Sequence, residues 1–151
     1  MGFINSLNIS ASALTAQRLR MDTIAQNVAN ATTTRTADGT PYRRRVTVMK
    51  EKKESGFKNV YKNAQGASPQ GYAGIGNGVK VDSIIEDPTD YRMEYDPSHP
   101  DADEDGYVAY PNVDEVVELV DMMSATRMYE ANVTAFNATK AMIMKAFEIG
   151  K

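Results

Sequence analysis

Two long stretches of helical period, one at each end of the chain, limit this sequence more than any other feature. In the first, residues 3 to 30, Ile4, Leu7, Ala11, Leu14, Met21, Ala25 and Val28 recur at alternating steps of three and four. Arg18 is the one break, and no proline or interior glycine interrupts the run. In the second, Leu119, Met122, Tyr129, Val133, Phe136, Ile143 and Phe147 keep the same rhythm, with Thr126 and Lys140 as exceptions. Such spacing makes one stripe of each helix apolar and predicts a coiled-coil seam between them. At about 1.5 Å per residue the helices measure roughly 42 and 57 Å. Any fold that contains two such rods must be built along them.

The ends of the second helix are marked. Pro111 and Asn112 predict its start, with Asn112 as N-cap and Glu115 at the capping-box position. Asp114 and Glu118 suit the positive helix terminus, and the helix should run to Ile149, ahead of Gly150.

The backs of both helices carry little charge. The stretch "MDTIAQNVANATTT" has only Asp22, and "ANVTAFNATKAMIM" has only Lys140. Small residues such as Ala25, Ala29, Ala131, Ala135 and Ala138 permit close backbone approach. Neutral amides and hydroxyls cost less to bury than ions. The helices therefore read as built to be surrounded, with ends that order when neighbours cover them. The plainer alternative is a monomeric helical hairpin with a weakly charged surface.

Between the helices the period changes. Residues 42 to 50 ("YRRRVTVMK"), 78 to 86 ("GVKVDSIIE"), 91 to 95 ("YRMEY") and 106 to 110 ("GYVAY") read as short strands separated by Pro, Gly and Asp turns. The predicted class is α+β. Residues 1–34 and 111–151 form the two halves of one helical core, and 35–110 form a β-rich centre with an irregular loop over 51–77.

Inventory narrows the chemistry. There is no cysteine, which removes disulfides and thiolate sites, and a single histidine, His99, which removes multi-histidine metal sites. A net charge of -3 gives no general pull toward nucleic acid or anionic lipid. No run approaches the roughly 20 apolar residues of a membrane-spanning helix, and the first residues lack the pattern of a cleaved secretory signal. "MGFINS" fits the short myristoylation pattern, but it fits a helix start as well.

The one stretch that suggests a ligand is "DPSHPDADEDGYVAYPN", residues 96 to 112. Asp101, Asp103, Asp105 and Gly106 follow the first six positions of a calcium loop. The template fails at position twelve, where Asn112 stands in place of a bidentate Glu. It fails again where a helix should lead in, because "YDPSHP" is non-helical. An acidic turn remains, with looser calcium binding as the alternative reading. "GIGNG" (74 to 78) precedes a strand rather than a helix, so it is no nucleotide loop. The basic run from Arg43 to Lys53 contains Glu51 and lacks base-stacking aromatics. His99, beside Ser98 and Asp96, sits in a turn without triad geometry, so no catalytic residue and no enzyme activity is assigned.

Two stretches resemble a known family. "ASALTAQRLRMDTIAQNVANATTTRTADGTPYRRR" resembles the N-terminal signature of flagellar rod and hook proteins, with Asn27 and Asn30 at its Asn-x-x-Asn positions. "YDPSHPDADEDGYVAYPNVDEVVELVDMMSATRMYEANVTAFNATKAM" is similar to the proximal-rod branch of that family; within it Asp96, Pro97, His99, Pro100, Asp101, Asp103, Gly106, Tyr107, Pro111 and Asn112 form the central motif. The resemblance implies a structural subunit of a helical tube, part of the drive shaft of the bacterial flagellum, with no cofactor. It also implies export without cleavage through the flagellar type III apparatus and a place in the periplasmic rod. The implied partners are other copies, the other proximal rod proteins and the adapter between rod and MS ring, with no nucleic acid and no membrane insertion. In that setting the helical seams pack subunits, and Asn27 and Asn30 bond the helix end to the chain leaving it. A soluble helical adaptor unrelated to flagella is the competing reading.

Overall fold

The computed structural model describes residues 3–52 and 77–149. Most of the loop expected over 51–77 therefore lies outside the described residues. The elements are α1 (Phe3–Ala29), β1 (Arg45–Glu51), β2 (Val79–Glu86), β3 (Arg92–Tyr95), β4 (Tyr107–Tyr110) and α2 (Glu115–Ile149). The class is α+β.

Helix α1 ends where its own asparagines take over the backbone bonding. The Asn30 amide donates to the Gln26 carbonyl at 2.8 Å, and its side-chain oxygen accepts from the Thr33 hydroxyl at 3.2 Å. Helix α2 starts later than the sequence suggested, and Asn112 is not its cap. Asp114 caps it, accepting from the N–H groups of Val116 (2.9 Å) and Val117 (3.2 Å). Asn112 is unavailable because its amide is already committed: its oxygen accepts from the Arg44 N–H at 2.8 Å, and its nitrogen donates to the Thr89 hydroxyl at 2.7 Å. Glu115 then becomes the first helical residue rather than a capping-box partner.

The two helices run antiparallel. Asn27 meets Glu118 and Arg20 meets Asp121, so positions rise along α2 as they fall along α1. Counted from the Asn27–Glu118 pair, α2 extends past the start of α1 by about two turns.

The strands form two separate antiparallel pairs. β1 and β2 align Arg45 with Glu86 and Glu51 with Val79, with a bulge between Val48 and Met49. This pair lies on α1. At its far end Gly78 has φ 97°, and a Cβ there would collide with the Ser12 side chain and lie 3.3 Å from the Ile9 Cα. The Ser12 hydroxyl oxygen also accepts from the Val79 N–H at 3.1 Å, pinning the strand to the helix.

β3 and β4 pair Arg92 with Tyr110 and Tyr95 with Tyr107. Their tip closes on Gly106, φ 81°, under an edge-to-face contact of Tyr95 and Tyr107 at 5.3 Å. Among the described residues the buried apolar ones are few: Ala16, Ile24, Ala31, Val108, Pro111, Val113 and Ala125. Those beyond Ala16 gather near the end of α1 and the start of α2, where the β part joins. Further along the rods, Thr139 is the one buried residue of α2.

Candidate assembly interface

The joint between rods and strands is polar. Asn27, 1 % exposed, uses both ends of its amide. Its oxygen accepts from the Arg45 N–H at 2.9 Å and from the Tyr42 hydroxyl at 3.0 Å. Its nitrogen donates to the Arg45 carbonyl at 2.9 Å and to Glu118 Oε2 at 3.0 Å. Glu118 is fully buried and accepts from Arg44 Nε at 2.6 Å through its other oxygen.

Arg44 extends the network to Asp87 at 3.3 Å and Asp121 at 3.7 Å, and Asp121 also meets Arg20 at 3.3 Å. Burial works against the charge on Arg44, yet its bonds to Glu118 and Asp87 raise its pKa above the ordinary arginine value. Asp87 is pushed below the usual carboxylate value, first by the N–H and hydroxyl of Thr89 and then by Arg44. Tyr42 is pushed up, chiefly by burial. Of the three arginines that open the basic run, Arg44 lies inside the joint.

Outside the joint the helices expose apolar surface. Val116, Val120 and Met123 stand on one side of α2, 70, 61 and 56 % exposed, and Phe147 and Ile149 at its end are 75 and 86 % exposed. Ile4 near the start of α1 is 74 % exposed. Isolated apolar residues on a surface need no explanation, but this many along one rod make an unusually apolar exposed face.

The residues expected to pack are distributed as follows. Leu7, Leu14, Met21 and Val28 on α1 are half-buried, as are Met122, Tyr129, Val133, Phe136 and Ile143 on α2. Leu119 and Phe147 are exposed. The buried positions of α2 are Glu118, Ala125 and Thr139, and with the half-buried Met122, Tyr129, Asn132, Phe136 and Ile143 they form a stripe at steps of three and four. That stripe runs one residue away from the Leu119, Thr126 and Lys140 track. Counting apolar residues alone misses it, because two of its buried members are polar.

The central motif forms a tight acidic turn. Asp96 accepts from the Ser98 hydroxyl at 2.6 Å and N–H at 3.0 Å, which hold its carboxyl below the usual value. His99 Nδ1 accepts from the Asp101 N–H at 3.1 Å, and its ring lies 6.3 Å from that of Tyr110. Asp101 accepts from the Thr34 hydroxyl at 2.9 Å and faces Arg35 at 3.8 Å. Asp103 accepts from the N–H groups of Asp105 (3.1 Å) and Tyr107 (3.0 Å). Pro97 packs beside Gly106, Pro100 lines a shallow cleft with Thr34 and Asp101, and Pro111 is fully buried. The carboxylates thus serve the turn's own backbone and α1's exit. Among the described residues no group of three or more His, Asp or Glu side chains is placed to hold a metal ion, and no helix is long and apolar enough to cross a membrane.

Residues 7–35 match the family described as "Flagella basal body rod protein", and residues 104–149 match "Flagellar basal body rod FlgEFG protein C-terminal". The chain is 51 % identical to the flagellar basal-body rod protein FlgC of Bacillus subtilis (strain 168), with both chains covered completely. It is 44 % identical to the protein of that name from Borreliella burgdorferi, over 99 % of this chain and 98 % of the relative. It is 38 % identical to the one from Escherichia coli O6:H1, again over the whole of both.

Proposed function

The chain belongs to the FlgC family of flagellar basal-body rod proteins and is a structural subunit of the rod, not an enzyme; from that premise we propose how it is built into the rod. Copies assemble into a helical tube with α1 and α2 as a coiled coil in its inner layer and the β part outside. The observation that carries this reading is the exposed apolar surface of α2, from Val116 to Ile149. A single small chain cannot cover it, whereas neighbours in a closed helical lattice can.

The neighbours on this reading are other copies of the chain, the other proximal rod proteins and the adapter to the MS ring. The subunit reaches the periplasm through the flagellar type III apparatus without cleavage. Leu14 and Phe136 serve as packing residues, Leu119 and Phe147 face an adjacent subunit, and the central motif aims α2 through Pro111 and Asn112. The helix ends farthest from the joint, poor in buried residues, order fully only in the tube. The turn carboxylates hold backbone N–H groups rather than calcium, so the calcium reading gains no support.

The test is recovery of the chain in purified basal bodies from a strain whose own copy is deleted. Phe136→Asp and Leu14→Asp would place an unpaired charge in the seam and should abolish recovery and motility while leaving export intact. Normal motility in either variant would contradict the packing role.

A further inference from the structure

Apolar contact between α1 and α2 would hold the rods together without any buried carboxylate, yet Glu118 is fully buried among valines and a leucine that are exposed. Its two oxygens serve two different elements: one accepts from Arg44 at 2.6 Å and the other from Asn27 at 3.0 Å. Asn27 holds the Arg45 backbone through both its N–H and its carbonyl. The Arg44 N–H donates to Asn112, and Asn112 holds Thr89. Each bond requires a donor or acceptor that its neighbour supplies, so withdrawing either helix strands a buried charge or amide. Sliding or rotating one helix against the other would break these bonds, whereas an apolar contact has no such directional requirement.

We propose that Glu118 is a positioning residue: through Asn27 and Arg44, and from Arg44 through Asn112, it fixes the direction in which the β3–β4 pair leaves the helical pair, and it can do so only when the chain's two terminal helices are paired. The subunit's outer part then acquires its angle as a consequence of closing the rods. Neighbours that must meet that outer part accept only a subunit whose ends have closed. The inference rests on the reading of the chain as a packed subunit of the rod.

Two variants separate this role from plain stability. Glu118→Gln keeps the shape but turns one acceptor into a donor facing Asn27 or Arg44. The triple variant Asn27→Leu, Arg44→Met, Glu118→Leu replaces the network with apolar groups, which often preserves stability, and it removes every directional bond among the three side chains. Each is expressed in the deletion strain beside the parental chain. Copies per basal body and, for the purified chain, helicity by circular dichroism are measured. Because the parent has no cysteine, spin-label pairs at Thr15→Cys and Glu94→Cys report the spread of rod-to-strand distances. The expected result is helicity near parental, a broadened distance distribution and at least a tenfold loss of incorporation for both variants. Parental incorporation, an unbroadened distribution, or a loss of incorporation that merely follows a loss of helicity would overturn the proposal. Failure of the parental chain to incorporate would count instead against the packing reading on which it rests.

Discussion

Asn27 and Glu118 stand 91 positions apart in sequence and meet at 3.0 Å with both side chains buried. That contact joins the first and last helices at the place where the β part departs.

Removing one partner of a buried, hydrogen-bonded charge leaves the other uncompensated. Glu118→Ala should therefore destabilise the chain by about 3 kcal/mol, the lower end of the usual range because Arg44 retains some access to water. Urea denaturation of the purified chain measures it. A loss below about 1 kcal/mol would mean that solvent replaces the carboxylate without penalty.

The two helices, four strands and β-rich centre were readable because each follows a local pattern: helical period at the ends, alternation and turn residues between. The joint was not readable in the same way. Glu118 looked like a first-turn carboxylate complementing the helix terminus, and Arg44 like one member of a basic run, because nothing local records that residues 44 and 118 meet. The cap moved from Asn112 to Asp114 for a related reason: two side chains could cap, and a long-range bond to Arg44 claimed one of them. Asn27 stood out through the resemblance, and its hydrogen-bond partners emerged only from the fold.

Glycine has different weight at two turns. Gly78 and Gly39 both have positive φ, 97° and 79°, but only Gly78 is crowded, by Ser12 and Ile9 of α1. Gly39→Ala should cost about 1 kcal/mol, the backbone term alone. Gly78→Ala should cost at least twice as much, since β2 must also lift from α1. Equal losses in thermal denaturation would mean that the strand pair is not seated on the helix as described.

Acid should loosen the turns at Asp87 and Asp96. Asp87 and Asp96 are held below the ordinary carboxylate value by Thr89 and Ser98 respectively, so both bind protons less readily in the folded chain than in the unfolded one. Their contribution is fully present above the unfolded value of about 3.9 and is lost as pH falls through the folded values. Asp87→Asn should flatten the fall in denaturation midpoint as pH drops below about 4. A profile unchanged by that substitution would remove Asp87 from the account.

On the proposed packing, neighbouring subunits cover the apolar surface of α2. With no cysteine in the parent, Val120→Cys and Phe147→Cys each introduce a single reactive thiol, and Lys80→Cys on β2 serves as an outer control. Maleimide labelling of the purified chain should be rapid at all three positions. In intact basal bodies, positions 120 and 147 should be protected at least tenfold and position 80 less so. Labelling of 120 and 147 in basal bodies at the rate seen in the free chain would contradict the claim.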